Sequence, residues 1–272
     1  MVYQQVIITG ASSGFGMAYA RYLGGECDHM VLIARRYEML LELKVELQGA
    51  FTRLKVECIA CDLAQPAQRD SLIVHLKAGI KGPTLLINNA GLGDYGSFAE
   101  GPSSALHQMI EVNMAAPTYL CHALLPEMKR EGGAVMNIAS LAADLFIPDF
   151  AVYAATKSYL ASLSEALNLE LREAGIPVLA VCPGPVHTGF GAVARRAGFT
   201  GNMTPGKDFF DTDVGTVIDG SIRALRNRKS RYYPSVKIRL LALLIRNMPL
   251  AVMRFIMSYR PRKVQSEKGG QA

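Results

Sequence analysis

Val6-Ile7-Ile8-Thr9-Gly10-Ala11-Ser12-Ser13-Gly14-Phe15-Gly16 decides the fold. A short apolar run enters a turn with three glycines, and an amphipathic stretch follows at once. Such a turn needs glycine for three reasons. The chain reverses tightly, its backbone must approach a pyrophosphate, and the next helix must pack on the strand. The helix start offers free N–H groups and a positive dipole end to an anion. A glycine cluster alone also fits an ordinary strand–helix turn. The place of this one, at the first strand of an alternating pattern, points to nucleotide binding.

Working outward, the alternation continues. Runs at 30–34, 54–60, 84–88, 134–139 and 177–182 are short and rich in Val, Ile and Leu. Amphipathic stretches at 37–48, 65–78, 103–129 and 152–174 separate them. This pattern predicts an α/β fold: a doubly wound parallel sheet of Rossmann type, buried on both faces and linked by right-handed crossovers. Residues 1–235 are expected to form that domain. They include a stretch at about 189–211, with five glycines and no strand pattern, read as a substrate cap. A helix follows at 213–227, and 236–272 is read as a basic, apolar C-terminal extension.

Composition narrows the classes. A chain of 272 residues, 50% hydrophobic and 19% charged, has enough apolar surface for a full core and is not disordered. Five cysteines in this length do not make a secreted disulfide framework. Cys58 and Cys61 form a C-x-x-C inside an apolar run, with no second pair at ligand spacing, so no metal is expected. The first ten residues lack a basic, then apolar leader, and a cytoplasmic location is expected. The net charge of +6 hides an asymmetry. Between positions 220 and 266 there are twelve Lys and Arg and no Asp or Glu, which leaves 17 basic against 23 acidic residues elsewhere.

The T-G-x-x-x-G-x-G spacing resembles the short-chain dehydrogenase/reductase family, in its ordinary single-domain branch. Other positions extend the resemblance over roughly residues 4–227. Asn88-Asn89-Ala90-Gly91 follows the fourth apolar run like the family's N-N-A-G motif. Tyr153 and Lys157 are four apart in a helical stretch and share a face. A phenol with a pKa of about 10 is a weak acid–base group at neutral pH, and a neighbouring ammonium favours its ionised form. Ser140 ends the fifth run, thirteen positions before Tyr153, and Asn113 lies in the 103–129 stretch. The resemblance implies that Tyr153 moves the proton and Ser140 hydrogen-bonds the reacting oxygen. It also implies that Lys157 holds the nicotinamide ribose, and that Asn113 bends its helix and positions a water in a relay with Lys157.

The resemblance also implies a dinucleotide contacting Gly10, Ser12, Ser13, Gly14, Phe15 and Gly16 at the phosphates and Asp62 and Leu63 near the adenine. Asn89, Ala90 and Gly91 would line it, as would Pro183 and Gly184 of a P-G-x-x-x-T segment, in which the Val186 backbone and Thr188 would hold the carboxamide. The second strand ends at Ala34, without the acid that grips a ribose 2′-hydroxyl, and Arg35 and Arg36 follow. Arginine suits a 2′-phosphate, so NADP(H) is expected, although the pair also fits a solvated helix start.

The expected activity is hydride transfer between a carbonyl and an alcohol. Phe190, Phe199, Met203, Phe209 and Phe210 in the cap point to a bulky, apolar substrate. A non-catalytic NADP(H)-binding sensor or scaffold is the alternative, opposed by the intact Asn113, Ser140, Tyr153 and Lys157. A nucleotide-sugar epimerase would carry a T-G-x-x-G-x-x-G turn and a larger C-terminal domain. The resemblance implies a homodimer or homotetramer built on the two long helices.

The chain departs from the family at its end. The usual V-D-G-G-like turn is missing, and RYYPS occupies 231–235. The stretch at 236–259 interleaves aliphatics with Arg239, Arg246 and Arg254. It fits either a basic amphipathic helix on a membrane surface, or packing over the cleft or a second subunit. No nucleic-acid recognition motif is present.

Overall fold

The computed structural model describes residues 3–186, 189–196 and 212–258. Seven parallel strands run β1 Gln5–Thr9, β2 His29–Ala34, β3 Lys55–Ala60, β4 Thr84–Asn88, β5 Gly133–Ile138, β6 Val178–Val181 and β7 Arg231–Tyr232. They lie in one sheet in the order β3-β2-β1-β4-β5-β6-β7. The strand order reverses between β1 and β4, which opens a crevice at the carboxyl ends of the strands.

Helices cover both faces. They are α1 Gly14–Leu23, α2 Tyr37–Ala50, α3 Pro66–Gly79, α4 Ser103–Ile110, α5 Ala116–Glu131, α6 Ala151–Glu170, α7 Phe190–Ala194 and α8 Val214–Arg226. Period-two alternation divides the strand side chains. Val6 and Ile8 join one core layer, with Tyr19 and Leu23 of α1 and Ile222 of α8. Ile7 faces the other layer, with Leu72 of α3 and Leu120 and Leu124 of α5. Both layers are apolar because both faces of a parallel sheet are covered. Cys58 packs against the first layer and Cys61 lies in the second, so the C-x-x-C thiols sit on opposite faces.

The six sequence-read strands are all present. The seventh was not legible, because β7 is only the two residues Arg231 and Tyr232 of the RYYPS segment. It pairs with β6 through Ala180 and Val181. The 103–129 stretch is not one regular helix: a π turn, Glu111–Ala115, separates α4 from α5. Residues 236–258 form two helices, α9 Val236–Asn247 and α10 Leu250–Ser258, bent by 112°. Pro249 lies between them, where its missing N–H and ring end a helix. The Ser235 hydroxyl caps α9 by accepting from Ile238 N at 3.2 Å. The α9–α10 pair packs on the body through Leu141, Ile238, Ala242, Ile245 and Met253.

Candidate active site

The glycine turn closes on β1 and β4 through one hydroxyl. Thr9 Oγ1 accepts from the backbone N–H of both Asn89 and Ala90, each at 3.0 Å. Asn89 returns the contact by donating its amide to Thr9 O at 2.9 Å and Gly10 O at 3.1 Å. Two glycines are sterically required. Gly10 has φ +65°, and a Cβ there would stand 2.8 Å from the Cα of Ala90. A Cβ on Gly16 would stand 2.3 Å from the carbonyl oxygen of Gly10. Gly14 opens α1, and Phe15 packs part-buried on the core below. Ser13 makes no side-chain cap, so the first N–H groups of α1 lack that partner.

Arg36 reaches back over this turn. Its guanidinium donates to Ser12 Oγ at 3.0 Å and Ser13 Oγ at 2.9 Å. Arg35 is exposed beside it. An open helix start, close-packed glycines and a cation on two serine hydroxyls fit a phosphate-bearing dinucleotide. At the next strand end, Asp62 Oδ1 accepts from Ala64 N at 3.1 Å. The Leu63 side chain is buried in the core and its carbonyl accepts from Arg69 at 2.9 Å. That carbonyl was not legible as already engaged, since Arg69 is six residues on in another element.

The catalytic candidates converge across β5 and α6. Ser140 follows β5, and its hydroxyl accepts from Ala142 N at 3.1 Å, starting a short 3-10 turn, Leu141–Asp144. Tyr153, in the first turn of α6, is buried, and the Ser140 hydroxyl is the polar side chain that bears on its phenol. Burial raises the phenol pKa above its ordinary value, and the Ser140 hydroxyl pulls the other way. Lys157 lies one turn on, its Nζ 5.7 Å from the Tyr153 ring centroid. The ammonium donates to Ile138 O at 2.7 Å, and burial lowers its pKa from 10.5 to about 8. Burial therefore outweighs, in the chain alone, the lowering of the phenol pKa that sequence reasoning assigned to Lys157.

Asn113 sits in the π turn, fully buried. Its Oδ1 accepts from Leu92 N at 2.8 Å. Its Nδ2 donates to Leu92 O at 2.9 Å and to Thr156 Oγ1 at 3.0 Å. The side chain thus clamps the loop after β4 to α6. Gly91 lies between the two groups: a Cβ there would meet Lys157 Nζ at 3.3 Å and Asn113 Oδ1 at 3.6 Å. Thr156, which sequence reasoning missed, passes the chain of bonds on by donating to Tyr153 O at 2.8 Å. Only the π turn brings Asn113 to this position, and no local pattern announces one.

Tyr153 joins a row of aromatic rings. Tyr95 stacks on Phe150 at 3.7 Å, Phe150 on Tyr153 at 4.1 Å, and Phe190 of α7 stands 5.5 Å from the Tyr153 ring. Arg196 holds α7 in place through a bidentate ion pair with Asp94 and a bond to Ser97 O at 2.8 Å. Tyr95 and Arg196 were missed because their partners are distant in sequence, and Phe150 because its stack joins Tyr153 to the distant Tyr95. Pro183 O accepts from Leu141 N at 2.9 Å, which ties the segment of Pro183, Gly184 and Val186 to the turn after Ser140. Val186 packs part-buried against the core. Thr188 lies outside the described residues, as do Phe199, Met203, Phe209 and Phe210 of the expected cap.

Residues 4–197 match the short chain dehydrogenase family. The sulfoacetaldehyde reductase of Chromohalobacter salexigens is 36% identical over 188 residues, 68% of this chain and 73% of that one. Among solved structures, the short-chain dehydrogenase of Sphingobium yanoikuyae in complex with NADPH superposes with a TM-score of 0.76 at 28% identity, covering 97% of this chain and 98% of that one. The bulky-bulky ketone specific alcohol dehydrogenase of Comamonas testosteroni gives 0.74 at 27% identity, with 97% of each chain covered.

Proposed function

The chain belongs to the short-chain dehydrogenase/reductase family and is an oxidoreductase of alcohols and carbonyls, and from that premise we propose that it uses NADP(H) on a bulky, apolar substrate. The observation that carries the reading is the buried Tyr153 beside Ser140 and Lys157, at the same end of the parallel sheet as a glycine turn held by Arg36. NADPH, when bound, supplies the hydride for the carbonyl carbon. Tyr153 gives its proton to the carbonyl oxygen as charge develops there. Ser140 steadies that oxygen with its hydroxyl. Lys157 anchors the nicotinamide ribose, and with Asn113 it frames the Gly91 backbone where a water would relay the proton.

Cofactor choice is supported by Arg36 on Ser12 and Ser13, by the absence of an acid at Ala34, and by the NADPH in the Sphingobium neighbour. Substrate class is supported by the aromatic row from Tyr95 to Phe190, and by the ketone specificity of the Comamonas neighbour. We infer a homodimer or homotetramer through α5 and α6, whose Tyr119 and Leu169 are exposed. The test is NADPH and NADH oxidation across a panel of ketones and aldehydes. Turnover of aryl and long-chain ketones with NADPH is expected. A preference for NADH, or turnover of small polar carbonyls alone, would overturn the cofactor or the substrate assignment respectively.

A further inference from the structure

We propose that the outer faces of α9 and α10 form a peripheral docking surface for an anionic lipid bilayer. The inner faces are used already, since Ile238, Ala242, Ile245 and Met253 are buried against the body. The outer faces carry apolar groups that no described residue covers. Leu240, Leu243, Leu244, Leu250, Phe255 and Ile256 are between 48% and 73% exposed. Among the described residues, eight of the eighteen exposed large apolar side chains fall in 236–258. Scattered exposed aliphatics are ordinary, but a contiguous patch marks an interaction surface.

The charge of the same helices says what covers it. Lys237, Arg239, Arg246 and Arg254 are exposed among the aliphatics, and no acid lies between positions 220 and 266. Residues 1–235 are close to neutral, with 21 basic against 22 acidic residues, whereas 236–272 carry eight basic and one acidic. An anionic surface would therefore attract the tail and not the body, which fixes the orientation of docking. Leucines and a phenylalanine flanked by long cationic side chains suit the headgroup boundary, where stems lie apolar and charges reach phosphate.

Two other arrangements fit less well. Among the described residues no single helix is long and apolar enough to cross a membrane, and the pair that passes jointly is bent by 112°. Spanning would carry Arg239, Arg246 and Arg254 into hydrocarbon. A two-fold contact with a second copy sets the same patch against itself, so these cations would face one another without an acid. The inner face of α9 also touches the turn that follows Ser140, because Leu141 packs in the same cluster. Docking does not depend on the assigned cofactor or substrate.

The test is sedimentation of the full chain with phosphatidylcholine vesicles, with and without phosphatidylglycerol. The protein is expected to pellet with the anionic vesicles alone and to be released by salt. Arg239→Gln with Arg246→Gln should lower the partition coefficient by about fivefold per cation removed. Leu244→Glu with Phe255→Glu should abolish pelleting, with melting temperature, solution mass and turnover of a water-soluble carbonyl unchanged. Wild-type protein left in the supernatant, or pelleting equally with neutral vesicles, overturns the proposal. So does a fall in solution mass in the Leu244/Phe255 variant, which would assign the face to a second copy.

Discussion

Replacing Thr9 by Val tests how the fold builds the site. Valine keeps the volume and β-branching of threonine, so the 1%-exposed position gains no cavity. What it loses is the oxygen that accepts from Asn89 N and Ala90 N, both at 3.0 Å. An unsatisfied buried N–H costs about 1–3 kcal/mol. Asn89 and Ala90 are only half-buried, so the lower end applies to each, about 2–3 kcal/mol in all. For a domain of this size that lowers Tm by about 4–12 °C. The same change frees the loop that faces Gly10, so NADPH binding should weaken with it. Thr9→Ser, which keeps the oxygen, should retain near wild-type affinity. Thermal melts and NADPH fluorescence titration of both variants check this. A Thr9→Val protein within about 0.5 kcal/mol of wild type, a typical change for an uncoupled surface site, would refute the role given to the hydroxyl if its NADPH affinity were also unchanged.

Removing Arg36 should weaken NADPH binding about 10- to 100-fold and leave NADH unchanged, as loss of a charge-assisted phosphate contact predicts; parallel titrations with the two cofactors measure it. Because burial raises the Tyr153 pKa, the neutral phenol persists into alkaline solution. Carbonyl reduction should therefore stay flat from about pH 6 to 9, while alcohol oxidation climbs with pH, which initial rates in both directions would reveal. Lys157 shifts in the opposite sense. Its folded pKa of about 8 lies below the 10.5 of the free side chain, so the folded chain releases this proton first. Below pH 8 both states hold it and burial of the charge opposes folding; from about pH 8 to 10.5 that opposition is relieved. Wild-type stability relative to Lys157→Met should thus rise across that window, by up to about 3 kcal/mol, as urea melts at stepped pH would register. Arg231→Met should cost about 3–5 kcal/mol in the same melts, because Asp144 then stays buried without its 2.7 Å partner.

Local signals made most of the framework legible. Val6–Gly16 combines strand period, glycine spacing and helix start within eleven residues, and Tyr153 and Lys157 share a helical face by spacing alone. The features that escaped depend on distant partners. Arg231 and Tyr232 carry no apolar period, and they form a strand only because Ala180 and Val181 offer an edge. The aromatic row joins Tyr95 to Phe150 and Phe190, which no window of sequence contains. Asn113 was found, yet its amide is spent on Leu92 and Thr156, a geometry set by the π turn. Pro249 lies at the break between α9 and α10, while their 112° bend goes with packing against Leu141, which is distant in sequence.

The most direct test of the central claim is the rate of NADPH oxidation by Tyr153→Phe on the best ketone, measured beside NADPH affinity in the same preparation. The phenol is assigned the proton transfer and no part in holding the phosphates. The account predicts a fall in kcat of about 100- to 10,000-fold, with NADPH affinity within about twofold of wild type. A variant that still turns over at near the wild-type rate would contradict it.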